Sequence, residues 1–208
     1  MLYLECNKDK KESEKMKKFN INSKGFTLIE LLAVITILGI LMLVAIPNVT
    51  RTIENSRRDT FADLAKQYIN TVRNAVLADE LKCGTNATSV GATGDGTYYF
   101  QIDSAGQVGT SNDLMENSSK SPWSSSDVVG YVSWTKATTP ASGNNPPKTT
   151  TTYSILLVDN GKHGIYGNNP VEEKNISRTS VSTNTGKSAG DFKSTVQNLD
   201  ADKVCTLK

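Results

Sequence analysis

The sequence predicts an α+β fold in which one long N-terminal α-helix, first transmembrane and then amphipathic, packs against an antiparallel β-sheet head. Three observations predict it. From Leu31 to Val49 no residue is charged, and a helix of that length reaches about 28 Å, close to the roughly 30 Å of a bilayer core. Beyond that run, Phe61, Leu64, Ala65, Tyr68, Ile69, Val72, Ala75 and Val76 recur at spacings of three and four, while Arg57, Arg58, Asp59, Asp63, Lys66, Arg73 and Asp79 fall mostly on other faces. That periodicity marks a helix with one packing side. After residue 84 the chain turns to short runs rich in β-branched and aromatic residues, separated by turn-forming residues.

Each element follows from its residues. The helical pattern runs to about Leu81 and is expected to end at Cys83-Gly84, where glycine takes the left-handed cap. Gly39 and Pro47 interrupt it: glycine weakens a helix interior, and proline removes a backbone hydrogen bond and crowds the preceding turn. A mild kink in a membrane helix is the ordinary consequence. The first strand is Thr97 to Ile102 and the second Val128 to Lys136, with Gly130 placed for a bulge. The third is Thr151 to Asp159. Asp159-Asn160-Gly161-Lys162 reads as a hairpin turn, because Asn-Gly readily supplies positive φ, and His163 to Tyr166 returns as a short fourth strand. Residues 137–150, rich in Thr, Pro, Gly and Asn, read as an exposed loop.

Composition excludes several functions. The 208 residues carry 23 basic and 21 acidic side chains, one histidine and three cysteines. A net charge of +2 gives no strong nucleic-acid signal, since phosphate recognition needs a clustered basic excess. The average conceals an asymmetry. Residues 1–25 hold seven lysines against Glu5, Asp9, Glu12 and Glu14, a net of +3, and the remainder is −1. Residues 84–208 contain 10 basic and 11 acidic groups, so the head has no overall positive bias. A lysine-rich flank before one apolar run orients the N-terminus to the cytoplasm and everything later outward.

Three readings compete for the N-terminal third. A secretory signal peptide needs small residues before its cut, and Leu43-Val44-Ala45, with Pro47 behind it, supplies a poor site. A plain membrane anchor leaves Glu30 unexplained, because a carboxylate in an apolar segment costs free energy and calls for a partner. The third reading rests on Lys24-Gly25-Phe26-Thr27-Leu28-Ile29-Glu30-Leu31-Leu32, with a basic leader before it and an apolar helix after it. That run resembles the class III signal sequence of type IV prepilins, with glycine, phenylalanine, threonine, leucine and glutamate in register.

The resemblance implies cleavage between Gly25 and Phe26 by a prepilin peptidase on the cytoplasmic side, and N-methylation of Phe26 by the same enzyme. Gly25 has no side chain, so a protease can bring the backbone close and hold it extended. The cut removes the lysines and creates an α-amino group at Phe26. Glu30, then the fifth residue, is implied to pair with the terminal amine of a neighbouring subunit during assembly, where such a pair supplies register more than affinity. The stretch between Gly39 and Pro47 is implied to melt in assembled filaments. The resemblance extends from Lys24 to about Val49 by motif and to about Leu81 by helical pattern. It does not extend to the head.

The cysteines are read in that light. Cys6 leaves with the leader, and Cys83 and Cys205 remain. Outside a membrane an even pair points to a disulfide, one that would staple the C-terminal tail to the helix end. Two buried, reduced cysteines are the alternative. Many pilins close only a C-terminal loop, so this spacing departs from the family.

No catalytic or metal constellation emerges. His163 stands in a turn without a second histidine or a cysteine nearby. Asp159, Asn160 and Gly161 lack the further acidic positions of a calcium loop. Gly91 to Gly96 lacks the Lys-Ser/Thr ending of a phosphate loop. Asn86, Asn117 and Asn175 open glycosylation triplets of a kind frequent by chance in a Ser/Thr-rich chain, and Trp123 and Trp134 read as packing residues. No cofactor or enzymatic activity is expected.

The expected organisation is a leader over 1–25, a transmembrane and polymerisation half-helix over 26–49, an amphipathic half-helix over 50–82 and an extracytoplasmic β-rich head over 83–208, together the pilin fold. The function implied is a structural subunit of a type IV pilus, held in the membrane by lipid and then polymerised into an extracellular filament for adhesion, motility or DNA uptake. Its partners would be itself and other pilins, the prepilin peptidase, a platform membrane protein and, indirectly, an assembly ATPase. A pseudopilin of a type II secretion or competence system, and a membrane-anchored or pilus-tip adhesin, are the alternatives.

Overall fold

The computed structural model describes residues 25–84, 88–89, 94–102, 120–124, 126–167, 169–188 and 199–207. Residues 1–24 of the leader with Cys6, the Asn117 triplet, Asn86 and Ala87, and residues 91–93 lie outside the described residues. The chain divides into two compact units, Met1–Ile46 and Pro47–Lys208.

Helix α1 spans Leu28–Leu77 and contains Pro47 without a break in its helical assignment. In the first unit every described residue is exposed, including Leu31, Ile35, Leu38 and Met42. An 18-residue window of α1 is long and apolar enough to cross a membrane. In the second unit α1 buries Phe61, Ala62, Ala65, Tyr68, Ile69, Val72 and Ala75, the stripe that the three- and four-residue spacing predicts.

The helix stops four residues before the expected place. Asp79 takes the left-handed conformation at φ 55, its N–H donates to Val76 O at 3.3 Å, and the Glu80 N–H donates to Ala75 O at 2.9 Å. This is a Schellman stop with aspartate in the position glycine usually holds. Leu81–Cys83 is consequently a strand, β1. Leu81 and Cys83 point into the core and Lys82 lies between them, half-buried. Gly84 is left-handed too, at φ +78, but it turns the chain out of β1, where a Cβ would lie 2.7 Å from Asp202 O.

The remaining strands are β2 (Thr88–Ser89), β3 (Gly96–Ile102), β4 (Val129–Thr139), β5 (Lys148–Val158), β6 (Gly164–Ile165), β7 (Val171–Glu172) and β8 (Val204–Leu207). They form one sheet in the order β2-β1-β8-β3-β4-β5-β6, with β7 also on β5. Pairing is antiparallel except for β8 on β3, which is parallel. All four expected strands differ from their sequence spans by one to three residues at an end, and β1, β2, β7 and β8 are additional. The expected loop at 137–150 contracts to 140–147, because β4 and β5 stay paired out to Thr139 and Lys148. Threonine favours strands, and a two-stranded ribbon solvated on both faces shows no apolar alternation to betray it.

Two glycine expectations are corrected. Gly130 sits in regular register opposite Ile102 and Leu157 and forms no bulge. It is glycine because a Cβ there would fall 1.9 Å from Leu156 O. In the β5–β6 hairpin the left-handed residue is Lys162, at φ 64, rather than Asn160 or Gly161. Lys162 N–H closes on Asp159 O, and the Asp159 N–H donates to His163 O at 2.9 Å, the pattern of a type I turn followed by one left-handed residue.

The core lies between α1 and one face of the sheet. Phe61, Ile69 and Val72 meet Phe100, Ile102, Val132, Trp134, Ile155 and Leu157 in a single cluster, each large side chain contributing about 1.5–3 kcal/mol by leaving water. Tyr98 and Trp134, direct partners across β3 and β4, stack with ring centroids 6.0 Å apart. The opposite face carries a smaller cluster of Val129, Tyr131, Leu156 and Val158.

Cys83 and Cys205 are opposite each other across β1 and β8 and form a disulfide with Cα atoms 3.9 Å apart. The tail is therefore bonded to a strand that follows the helix, not to the helix end. β8 is the strand that joins β1 to β3, so the bond fixes the junction that carries β1 and β2 on the rest of the sheet.

Candidate functional site

The segment that precedes α1 holds the candidate processing site. Gly25, Phe26 and Thr27 are non-helical and exposed. Phe26 is 86 % exposed, and nothing lies within 4 Å of where a Gly25 Cβ would be. An exposed, unencumbered backbone that a protease groove can draw out is what cleavage requires.

Thr27 and Glu30 explain why the helix begins where it does. The Thr27 N–H and hydroxyl both donate to Glu30 Oε2 at 2.8 Å, and the Glu30 N–H donates to Thr27 Oγ1 at 3.3 Å. This is a capping box: the N-cap hydroxyl satisfies the N–H three residues on, and the carboxylate reaches back to the N-cap N–H. The Thr-x-x-Glu spacing was the signal for it, and reading Glu30 only as an orphan charge missed it. The carboxylate has a local partner, so its position in an apolar run does not by itself demand an external cation. The box also sets a boundary, because residues before Thr27 are outside the helix.

Gly39 and Pro47 lie within α1. A Cβ at Gly39 would meet nothing within 4 Å, so no contact among the described residues requires glycine there.

In the head, the structure brings His163 together with two residues that the sequence did not connect to it. Asp159, fully buried, accepts from the His163 N–H at 2.8 Å, lies 3.0 Å from His163 Nδ1, and accepts from Ser121 Oγ at 2.5 Å. Serine, histidine and aspartate thus meet, but in the wrong order for nucleophile activation. Both Ser121 and His163 bond the carboxylate, and no bond joins the hydroxyl to the imidazole. The imidazole stacks flat on Trp123 with centroids 4.5 Å apart. The Trp123 Nε1–H donates to Glu54 on α1 at 3.0 Å. The cluster ties the β5–β6 turn through Trp123 to the helix, a structural use of all four groups. The Asp159 oxygens are taken by these donors, which leaves the turn no calcium-loop geometry.

Two further clamps hold the segment after β7 against α1. Arg178 donates to both Asp59 oxygens, from Nε at 2.8 Å and Nη2 at 2.5 Å, and this guanidinium holds the exposed Asp59 carboxyl below its ordinary range. Arg73 pairs with Glu173 and lies over the Tyr153 ring, 4.8 Å from its centroid. On the other sheet face, burial first and then Tyr99 and Tyr166 push the Tyr131 phenol up to about 12. None of these groups converges on a cleft with a free nucleophile. Trp123 and Trp134 are both packing residues, in contact with Phe61 and Tyr98 respectively.

Comparison with known proteins bears on the N-terminal segment alone. Residues 20–46 match the family described as the prokaryotic N-terminal methylation motif, the class III signal of type IV pilins and pseudopilins. No curated protein matches the chain, and no solved structure does. The motif supports a type IV pilin-like or pseudopilin protein, whose family is structural rather than enzymatic. It fits, with the apolar helix, a membrane-anchored chain.

Proposed function

We propose that this chain is the structural subunit of a type IV pilus. The observation that carries the reading is the methylation motif at residues 20–46, which spans an exposed non-helical segment and the capped start of an apolar helix. Prepilin peptidase cuts between Gly25 and Phe26 and methylates the Phe26 amine. The processed subunit waits in the cytoplasmic membrane on the half-helix of 26–49, with the head of 83–208 outside and the amphipathic half of 50–82 beneath it. A platform membrane protein, driven by a cytoplasmic ATPase, then adds it to a surface filament through helix packing. In that step Glu30 exchanges its Thr27 hydrogen bonds for the α-amino group of a neighbouring Phe26, and the stretch from Gly39 to Pro47 supplies local extension. The exposed apolar side chains from Leu31 to Val49 support the reading, since they need either lipid or other helices around them.

Mass spectrometry of protein sheared from the surface of the native cell tests it. Filaments containing a subunit that begins at N-methylated Phe26 are expected. A chain that keeps residues 1–25, or that never leaves the membrane fraction, would sink the proposal. A methylated subunit confined to short envelope-bound filaments would assign it to a pseudopilin instead.

A further inference from the structure

The unpaired charge of α1 is sorted by sign along its length. In the part nearest the apolar run, Arg58 is held by Glu54, whereas Arg51 and Arg57 are exposed and make no ion pair among the described residues. Farther along, Asp59 is taken by Arg178 and Arg73 by Glu173, and Asp63 and Lys66 offset each other. Past the helix end come Asp79 and Glu80, both exposed. The Glu80 N–H serves the helix stop, and its carboxylate makes no ion pair among the described residues. One end of the amphipathic half is thus positive and the other negative.

The acidic end gains nothing from its own helix. The last turn of α1 holds no basic residue, and the unsatisfied carbonyls of a helix C-terminus carry partial negative charge, which repels carboxylates and attracts cations. A cation from elsewhere is what this end lacks. The same chain carries one in Arg57, but out of its own reach. Arg57 and Leu77, the last residue of α1, are about 30 Å apart at 1.5 Å per residue, several times the span of an ion pair.

We infer that the basic end of one copy, at Arg51 and Arg57, seats on the acidic end of a second, at Asp79 and Glu80, with Arg57 opposite Glu80. The inference rests on the filament proposed above and gives it an axial contact outside the membrane-spanning segment. Two unlike patches at opposite ends of a helix make a heterologous contact, which propagates from copy to copy instead of closing into a dimer. With the apolar run toward the cell, the basic end of each copy meets the acidic end of the copy nearer the cell. The axial offset between the two is about 30 Å, the distance from Arg57 to the end of α1. A single exposed ion pair is weak, but this one recurs at every subunit. Registers that bring like charges together are repelled, so the contact selects the stagger more than it adds affinity.

The test uses filaments sheared from cells that make the full chain, in which processing removes Cys6, and Cys83 and Cys205 are bonded to each other. Arg57→Cys with Glu80→Cys, treated with a short bismaleimide, is expected to give a ladder of covalent dimers, trimers and higher species. Either single variant is expected to stay monomeric, because the contact joins unlike positions. Arg57→Glu and Glu80→Lys are each expected to cut filament yield severalfold at unchanged membrane abundance, and the two together to restore it. This exchange decides the question even where the cysteine pair weakens assembly. Filaments of the cysteine pair that give no ladder, or a combined charge exchange no better than its single variants, would overturn the contact and leave the filament standing. A wild-type chain that forms no filament would remove both.

Discussion

Thr27 and Glu30 satisfy each other across the first turn of α1, with two bonds of 2.8 Å into one carboxylate oxygen. The relationship gives one glutamate two uses. It caps the helix in the single chain, and in the proposed filament it meets a new cation that cleavage creates. The two uses separate by charge, because glutamine completes a capping box as well as glutamate does.

Glu30→Gln is therefore expected to leave the protein in the membrane at wild-type abundance and to abolish surface filaments. Immunoblots of membrane and sheared fractions read both quantities. Wild-type filament yield from Glu30→Gln would reduce Glu30 to a cap.

Removing the Cys83–Cys205 disulfide, by Cys205→Ser with Cys83→Ser, is expected to lower stability by about 2–5 kcal/mol, the usual range for a native bridge. The closed loop is long, with a sequence separation of 122, and β8 is the element that would come loose. The measurement is the denaturant midpoint of the full chain in micelles. An unchanged midpoint would mean that sheet pairing alone holds β8 in place.

Gly130→Ala is expected to destabilise the head by about 1–3 kcal/mol or more, the scale of overpacking in a tight interior, because the added methyl meets Leu156 O at 1.9 Å. Gly143→Ala makes the contrast. Its Cβ would meet nothing within 4 Å, although φ +58 imposes a smaller backbone cost. Equal losses from the two variants in the same denaturant assay would contradict the close-approach reading.

Tyr131 predicts alkaline behaviour. Its phenol is raised to about 12 against an ordinary value near 10, so the fold favours the neutral form. The stability this supplies is complete below about pH 10 and is lost as pH rises through about 12. Tyr131→Phe cannot ionise and is expected to move the alkaline unfolding transition, followed by circular dichroism alongside tyrosinate absorbance, to higher pH. A transition at the same pH in both proteins would show that another group controls it.

The sequence alone determined the helix and its signal. Charge-free length, a three- and four-residue apolar stripe and the Lys24 to Leu32 motif are local properties, readable without knowing what the chain folds against. The central parts of three strands, 97–102, 129–136 and 151–158, were legible for the same reason, being runs whose own residues favour extension, whereas their ends at 137–139 and 148–150 read as loop. The short strands were not. β1, β7 and β8 have two to four residues each, too few for a period to register, and they are strands because neighbours offer them hydrogen bonds. β8 is parallel to β3 and antiparallel to β1, an arrangement set by how a distant tail inserts into a gap.

Only the tertiary structure decided what Gly130 and Asp159 do. Gly130 answers to a carbonyl on the next strand, and Asp159 to a serine 38 residues away. Long-range proximity fixes each of these, and no window of sequence contains it. The Thr27–Glu30 box is the opposite case. Its three-residue spacing was legible from the start, and what the structure added was the geometry showing that the carboxylate already has a partner.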